Sequence, residues 1–529
     1  MKNTNYYLLF IFFTTILISC NSKESIDQKT TGSSHTFSES YKAPSFINDD
    51  RIEKIRSIAP ELKRLISEHG KAKNIPGIAY GIVVDNELIV SSATGFMNLE
   101  NESLASPKST FRIASMTKSF TATAIMKLRD EGKLSLSDPA SKHIPEMAAL
   151  EYLTEDSPAI TIQNLLTMTA GFPEDNPWGD RQLDESNEML MNLMSGGVSF
   201  SNAVSFEFEY SNTGYALLGN IVSRIAGIPY QEYITNSILK PLGMDQTYWE
   251  YEHVPKDQLA IGYRWEDEQW KPEPLLHDGS YGAMGGLITT IEDFGKYVSF
   301  HLSAWPPRNG EDKGPIKRSS LREMQTPQLA RLNANGIDYN GNDCATISGY
   351  GFGLGITKDC KGIKRVSHGG ALPGFGSNYV FFPEYGVGIM AFCNLTYTSP
   401  WPFTETLKLL FETADLQPRK LPVSDILNER KEQITELIQH WDPELETKII
   451  AENFYLDTSR DRRMKEIQTV LEKAGPILSI EKMNPRNQLR GSFNIQAENG
   501  SIDIFFTLTP EKIPKVQALY VSFTATETN

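Results

Sequence analysis

Apolar residues at Ile52, Ile55, Leu62, Leu65 and Ile66 recur at the spacing of one helical face and predict a helix over 52–68. Residues 77–84 and 87–93 read as two strands joined by Asp85-Asn86, a pair that tolerates the positive φ of a tight hairpin turn. Residues 110–114 lead into a second helical stripe, Phe120, Ala124, Ile125 and Leu128. Residues 204–208 and 362–367 are strand-like, and 388–393 form an apolar strand in which Cys393 counts as a small hydrophobe. The pattern shifts after about Ala414. Residues 416–422, with two prolines, read as a linker, followed by helices near 424–440, 444–454 and 459–474. Strands at 477–483, 489–496, 502–508 and 516–523 complete a small α+β accessory domain over 423–529, after a larger domain over 50–415.

The first apolar run, 6–18 after Lys2, is too short to span a bilayer comfortably but suits the core of a secretory signal. It ends in Leu17-Ile18-Ser19-Cys20, which resembles a bacterial lipoprotein cleavage box. Residues 1–19 are therefore expected to be a signal peptide, and Cys20 the lipidated first residue of the mature chain. A diacylated cysteine carries more than one buried chain, enough for stable attachment to a membrane. Residues 20–48, rich in Ser and Thr and without periodicity, read as a flexible tether. Cys344, Cys360 and Cys393 remain, so outside the cytoplasm at least one thiol stays free, and a Cys344 to Cys360 disulfide is one available pairing.

With 529 residues, 40% hydrophobic and 22% charged, the chain can bury a sizeable core in two to four domains. Lys plus Arg is 51 and Asp plus Glu 66, a net charge of -15 with no basic block, which argues against nucleic acid as a partner. The eight His residues show no His-Glu-x-x-His or paired-Cys spacing, so neither a metal nor another cofactor is expected.

Candidate chemistry begins at Ser115-Met116-Thr117-Lys118, at the start of the second predicted helix. Positions i and i+3 share a helical face, so the Lys118 amine can reach the Ser115 hydroxyl. A buried lysine loses part of its basicity and can then take the serine proton. Ser479-Ile480-Glu481-Lys482 has the same spelling but falls in a predicted strand, where i and i+3 point to opposite faces. Two more motifs follow, Tyr210-Ser211-Asn212 and His368-Gly369-Gly370.

This order and spacing resemble the serine β-lactamase and penicillin-binding peptidase superfamily, on its class C and esterase-like branch. Residues 111–122, 165–173, 210–215, Gly285-Gly286-Leu287 and 290–294 read like its members too, so the resemblance covers about 50–415. It implies an α/β fold of β-lactamase type: an antiparallel sheet flanked by helices, with an all-helical insertion between the first two motifs. It makes Ser115 the nucleophile, Lys118 its proton partner, and Tyr210 the relay to the leaving group and the deacylating water. Asn212 would bond Lys118 or the substrate amide, and the backbone N–H groups of Ser115 and Ala371 would form the oxyanion hole. Gly369 and Gly370 would let a substrate backbone lie close to the strand.

The third motif departs from true β-lactamases, which carry Lys-Thr-Gly there. His368 replaces the lysine that binds the antibiotic carboxylate, and Gly369 removes a hydroxyl. An imidazole anchors a carboxylate less well than an ammonium and should make activity depend on pH near neutrality. The resemblance thus implies a lipid-anchored serine hydrolase cutting an amide or ester, a D-amino-acid peptide or small ester, in the cell envelope. A β-lactamase or carboxypeptidase on peptidoglycan, and a catalytically silent binding protein, are the alternatives. A second histidine, in His277-Asp278-Gly279, competes with His368 but follows no strand. The Pro-rich segment 172–178 could wall a subsite or simply staple a loop.

Overall fold

A computed structural model describes residues 36–526. The expected signal peptide, Cys20 and the first part of the tether lie outside the described residues. The chain divides into two units, Met1–Tyr41 and Lys42–Asn529. Of the first, residues 36–41 are described and hold a turn at Glu39-Ser40. No helix among the described residues is long and apolar enough to cross a membrane.

In the second unit the helix α1 (Arg51–Ala72) buries Ile55, Ile58, Leu62 and Ile66 at intervals of three and four, and runs one turn beyond its predicted end. It packs on β1 (Gly77–Val84) and β2 (Glu87–Asn98), whose hairpin turns at Asp85 with φ of 49°. Ile78, Tyr80, Ile82 and Val84 join the apolar cluster of α1, whereas Ala79 and Val83 point into the larger core on the other face. That is why β1 reads as a continuous apolar run: both faces are covered. The remaining strands of this sheet are β3 (Ser103–Leu104), β4 (Gln328–Asn333), β5 (Thr346–Tyr350), β6 (Gly355–Lys358), β7 (Lys364–Leu372), β8 (Phe375–Phe382) and β9 (Val387–Cys393). Among the described residues the sheet has nine strands, in the order β3-β2-β1-β9-β8-β7-β6-β5-β4, antiparallel at each pairing.

The face opposite α1 carries α2 (Thr117–Asp130), α3 (Asn212–Ala226) and α4 (Ile291–Leu302) in one core with Phe111, Phe120, Phe294 and Tyr297. A Cβ on Gly81 would stand 2.8 Å from the Ile291 side chain, so helix α4 lies directly on the sheet there. Between Thr117 and Ala226 the regular elements are all helical, as the resemblance implies.

Two expectations need correction. Residues 204–208 are not a strand: they form a turn with Ser205 at φ of 65° and Phe206 exposed. Their alternation finds no neighbouring strand, and the amides of Ser205 and Glu209 donate instead to the carbonyls of Thr169 and Met168. The third motif does not follow its strand but lies within it, because β7 runs on through Leu372.

Cys344 and Cys360 form a disulfide, and Cys393 is a buried free thiol. Beyond residue 423, α5 (Asp425–Gln439), α6 (Pro443–Ile449) and α7 (Arg460–Ala474) pack with β10 (Ile477–Ile480), β11 (Asn484–Asn487), β12 (Arg490–Ala497), β13 (Gly500–Leu508) and β14 (Val516–Ala525) around a separate apolar cluster. The sequence reading missed β11, whose polar residues and Pro485 carry no strand signal.

Candidate active site

Ser115 lies in a short 3-10 turn, Ala114–Met116, that runs straight into α2. The residue before it, Ala114, has φ of 49°, a left-handed conformation that costs a non-glycine residue energy and that its surroundings must impose. They do so from two sides. Phe111 and Arg112 pair with Thr289 and Ile288, and the Ile113 N–H donates to the Leu287 carbonyl at 2.9 Å. From the sheet, Ser377 Oγ donates to the Ile113 carbonyl at 2.7 Å. Arg112 is buried and donates to Tyr251 Oη at 2.9 Å and to the carbonyls of Gly286 and Leu276 at 2.6 Å each, tying the serine turn to the glycine-rich loop.

Lys118, wholly buried on the first turn of α2, stands 2.9 Å from Ser115 Oγ, 2.7 Å from Asn212 Oδ1 and 3.1 Å from the Met284 carbonyl. Burial pulls its ammonium down to about 7, against the opposing fields of Asp180 and Asp175. Asn212 opens α3, whose first turn is held by Asp175: its carboxylate accepts the N–H groups of Asn212 and Thr213 at 2.6 and 2.9 Å. Tyr210 presents its ring 4.8 Å from Lys118 Nζ and lines the same cavity as Ser115. Burial pushes the Tyr210 phenol well above its ordinary pKa, so it is a proton-bearing donor at neutral pH.

The third motif faces the same cavity of about 490 Å³, which Ser115, Tyr210, His368, Gly369, Gly370 and Ala371 all line. Here the expected pH role of His368 is corrected. Burial, with the Lys118 charge second, lowers His368 to about 4, and its Nε2 pairs with Tyr350 Oη at 2.9 Å. It is therefore neutral across the neutral range, where Lys118 and, slightly lower, Asp180 on the same wall titrate. The reading of Gly370 also changes: a Cβ there would sit 2.2 Å from the Ile113 carbonyl and 2.4 Å from Ser377 Oγ. Its missing side chain makes room for the protein's own serine turn rather than for substrate. A Cβ on Gly369 would meet the end of the Asn378 side chain at 3.2 Å and the Ser377 carbonyl at an ordinary 3.8 Å, which leaves the strand comparatively open on that side. His277, by contrast, is half exposed on Glu250, while Asp278 props the glycine loop, where a Cβ on Gly282 would strike its Oδ1.

The sequence profile of the Beta-lactamase family matches residues 62–412. The chain belongs to the beta-lactamase family. Among its relatives, Protein flp of Staphylococcus aureus strain N315 is 30% identical over 418 residues, 77% of this chain and 76% of that protein. Beta-lactamase-like protein 2 of Dictyostelium discoideum is 26% identical over 492 residues, 87% of this chain and 85% of that one. The octameric penicillin-binding protein homologue from Pyrococcus abyssi superposes with a TM-score of 0.55 at 22% identity, covering 89% of this chain and 96% of that chain. The beta-lactamase-like α/β fold is thus shared.

Within this family fold, sequence reasoning missed the support around the motifs. Segment 172–178 is both staple and wall: Asp175 caps α3, Asn176 lines the Ser115 cavity, and Trp178 lines a neighbouring cavity of about 430 Å³ while packing edge-on against Tyr281. A Cβ on Gly179 would stand 2.8 Å from Asn212, which brings the turn hard against the second motif. The dense Asp, Asn, Pro and Gly content of 175–180 marks a turn with acceptors to spare, but its target lies about 35 residues away in sequence. Tyr350, which holds His368, carries no such signal.

Proposed function

We propose that this beta-lactamase-family protein is a serine hydrolase that cuts an amide or ester through a Ser115 acyl-enzyme. The observation that carries the reading is the buried Lys118 amine, 2.9 Å from Ser115 Oγ and made weakly basic by burial. Neutral Lys118 takes the Oγ proton as Oγ attacks the carbonyl carbon. The backbone N–H groups of Ser115 and Ala371 receive the developing oxyanion. Tyr210 passes its proton to the departing nitrogen or oxygen and regains one from the Lys118 ammonium. Water then enters, loses a proton through the same pair, and releases the acid and Ser115.

Because Lys118 must be neutral to act, kcat/KM for a neutral ester should fall tenfold per pH unit below about 7 and level off above it. A profile measured from pH 4 to 9 checks this. A single rise near pH 4 would transfer control to His368 and remove Lys118 as the base.

The substrate class favoured is a D-amino-acid peptide or small ester of the cell envelope, on the esterase-like branch of the superfamily. Against a β-lactam or carboxypeptidase substrate stands the lining of the Ser115 cavity, in which, among the described residues, no Lys or Arg offers a carboxylate an anchor. The lipid anchor belongs to the same proposal, resting on the Leu17-Ile18-Ser19-Cys20 box. Cys20→Ala should move the protein from the detergent to the aqueous phase on phase separation; retention in the detergent phase would refute lipidation at Cys20.

A further inference from the structure

We propose that Asp180 is a specificity residue that receives a positively charged group of the substrate, so that the preferred substrate carries a free ammonium close to the scissile carbonyl. The inference rests on the hydrolase reading above and deepens it.

Among the described residues the Ser115 cavity is lined by one carboxylate and by no cation. Asp180 reaches it together with Tyr397, and the remaining ionisable groups on its wall are Tyr210 and His368, both uncharged at neutral pH. Asp180 is 3% exposed. Its Oδ2 accepts a hydrogen bond from Tyr397 Oη at 3.1 Å, the one hydrogen bond that its carboxylate receives among the described residues. A carboxylate so buried, without a hydrogen-bonded cation, is costly to keep, and burial accordingly pushes its carboxyl up. The charged groups that act on it are Lys118, Asp175 and Arg181. The Arg181 side chain is turned to the Pro177 carbonyl at 2.7 Å, and Lys118 Nζ is committed to Ser115, Asn212 and Met284.

Charge balance through the reaction then identifies the partner. Lys118 is the countercharge that acts most strongly on Asp180, and Lys118 must be neutral to deprotonate Ser115. At that moment the cavity holds a net charge of one negative unit, on Asp180. A substrate ammonium restores neutrality and removes the field that favours protonated Lys118, whereas a substrate carboxylate would add a second negative charge. The placement is rigid enough to discriminate: the Asp180 N–H donates to the Asn176 carbonyl at 3.0 Å, and Gly179 is packed against Asn212. Asp180 and Ser115 line one cavity of about 490 Å³, so a substrate seated on Ser115 shares its cavity with the Asp180 carboxylate.

The test uses the full chain and two matched probes, D-alanine p-nitroanilide and its N-acetyl derivative, each with its L enantiomer, at pH 7, where an α-amino group is largely protonated. For wild type, kcat/KM for the free amine should exceed that for the acetylated probe at least tenfold. In Asp180→Asn, which keeps the shape and the Tyr397 contact, that ratio should fall at least tenfold. A merely structural role would lower both probes alike and leave the ratio. No preference in wild type, or a preference retained in Asp180→Asn, overturns the proposal; should the variant fold poorly, the wild-type ratio alone decides. Fluorophosphonate labelling of Ser115 with no amine preference sinks the Asp180 assignment alone, whereas absence of both labelling and turnover sinks the hydrolase reading beneath it.

Discussion

Lys118→Met is expected to lower acylation by about 10²- to 10⁴-fold, the usual contribution of a positioned proton acceptor. Unfolding free energy should change by no more than about 1–2 kcal/mol. The two numbers separate chemistry from structure. Methionine fills the space of the lysine stem, so no large cavity opens. Removing an amine from full burial relieves a desolvation cost, while Asn212 Oδ1 and the Met284 carbonyl lose their donor, and these effects oppose each other. Single-turnover acylation by an activated ester, with denaturant unfolding alongside, reads both. A variant that acylates within a few-fold of wild type would remove Lys118 from the reaction.

The largest stability effect is expected at Arg112. Its side chain makes no ion pair among the described residues, yet it is 1% exposed and donates to Tyr251 Oη and the carbonyls of Gly286 and Leu276. Arg112→Ala takes the donor from buried Tyr251 Oη and the Gly286 carbonyl and from the part-buried Leu276 carbonyl, and opens the space of a long side chain, a loss of roughly 3–5 kcal/mol. The damage should not stay local. The loop that Arg112 ties down also carries the Met284 carbonyl that positions Lys118, so kcat should fall even in protein that remains folded at low temperature. Urea unfolding followed by tryptophan emission, paired with kcat at 15 °C, measures both. A midpoint within error of wild type would show that the three contacts contribute nothing.

How much of this could be read from residues alone differs from element to element. The continuous apolar run 77–84 was legible as a strand because period and length agree, and the structure covers it on both faces. Ser115 and Lys118 were legible because a helix brings i and i+3 together whatever the rest of the chain does. The alternation at 204–208 misled, since a strand exists only with a partner and among the described residues no strand pairs with it. His368 was placed correctly in the cavity but its charge was not, because its pKa follows from burial and from Lys118, 250 residues earlier. Asp175, Asp180 and Tyr350 act through a turn and a strand that only the tertiary fold brings to the motifs: the composition of 175–180 marks the turn but not its target, and Tyr350 carries no local signal at all.

The most direct test of an activated Ser115 is the intact mass of the protein after incubation with a fluorophosphonate, beside Ser115→Ala. The account predicts one phosphonyl adduct per chain, forming faster as pH rises through about 7 and absent from Ser115→Ala. No adduct on the wild-type protein, or an adduct that persists in Ser115→Ala, would contradict it.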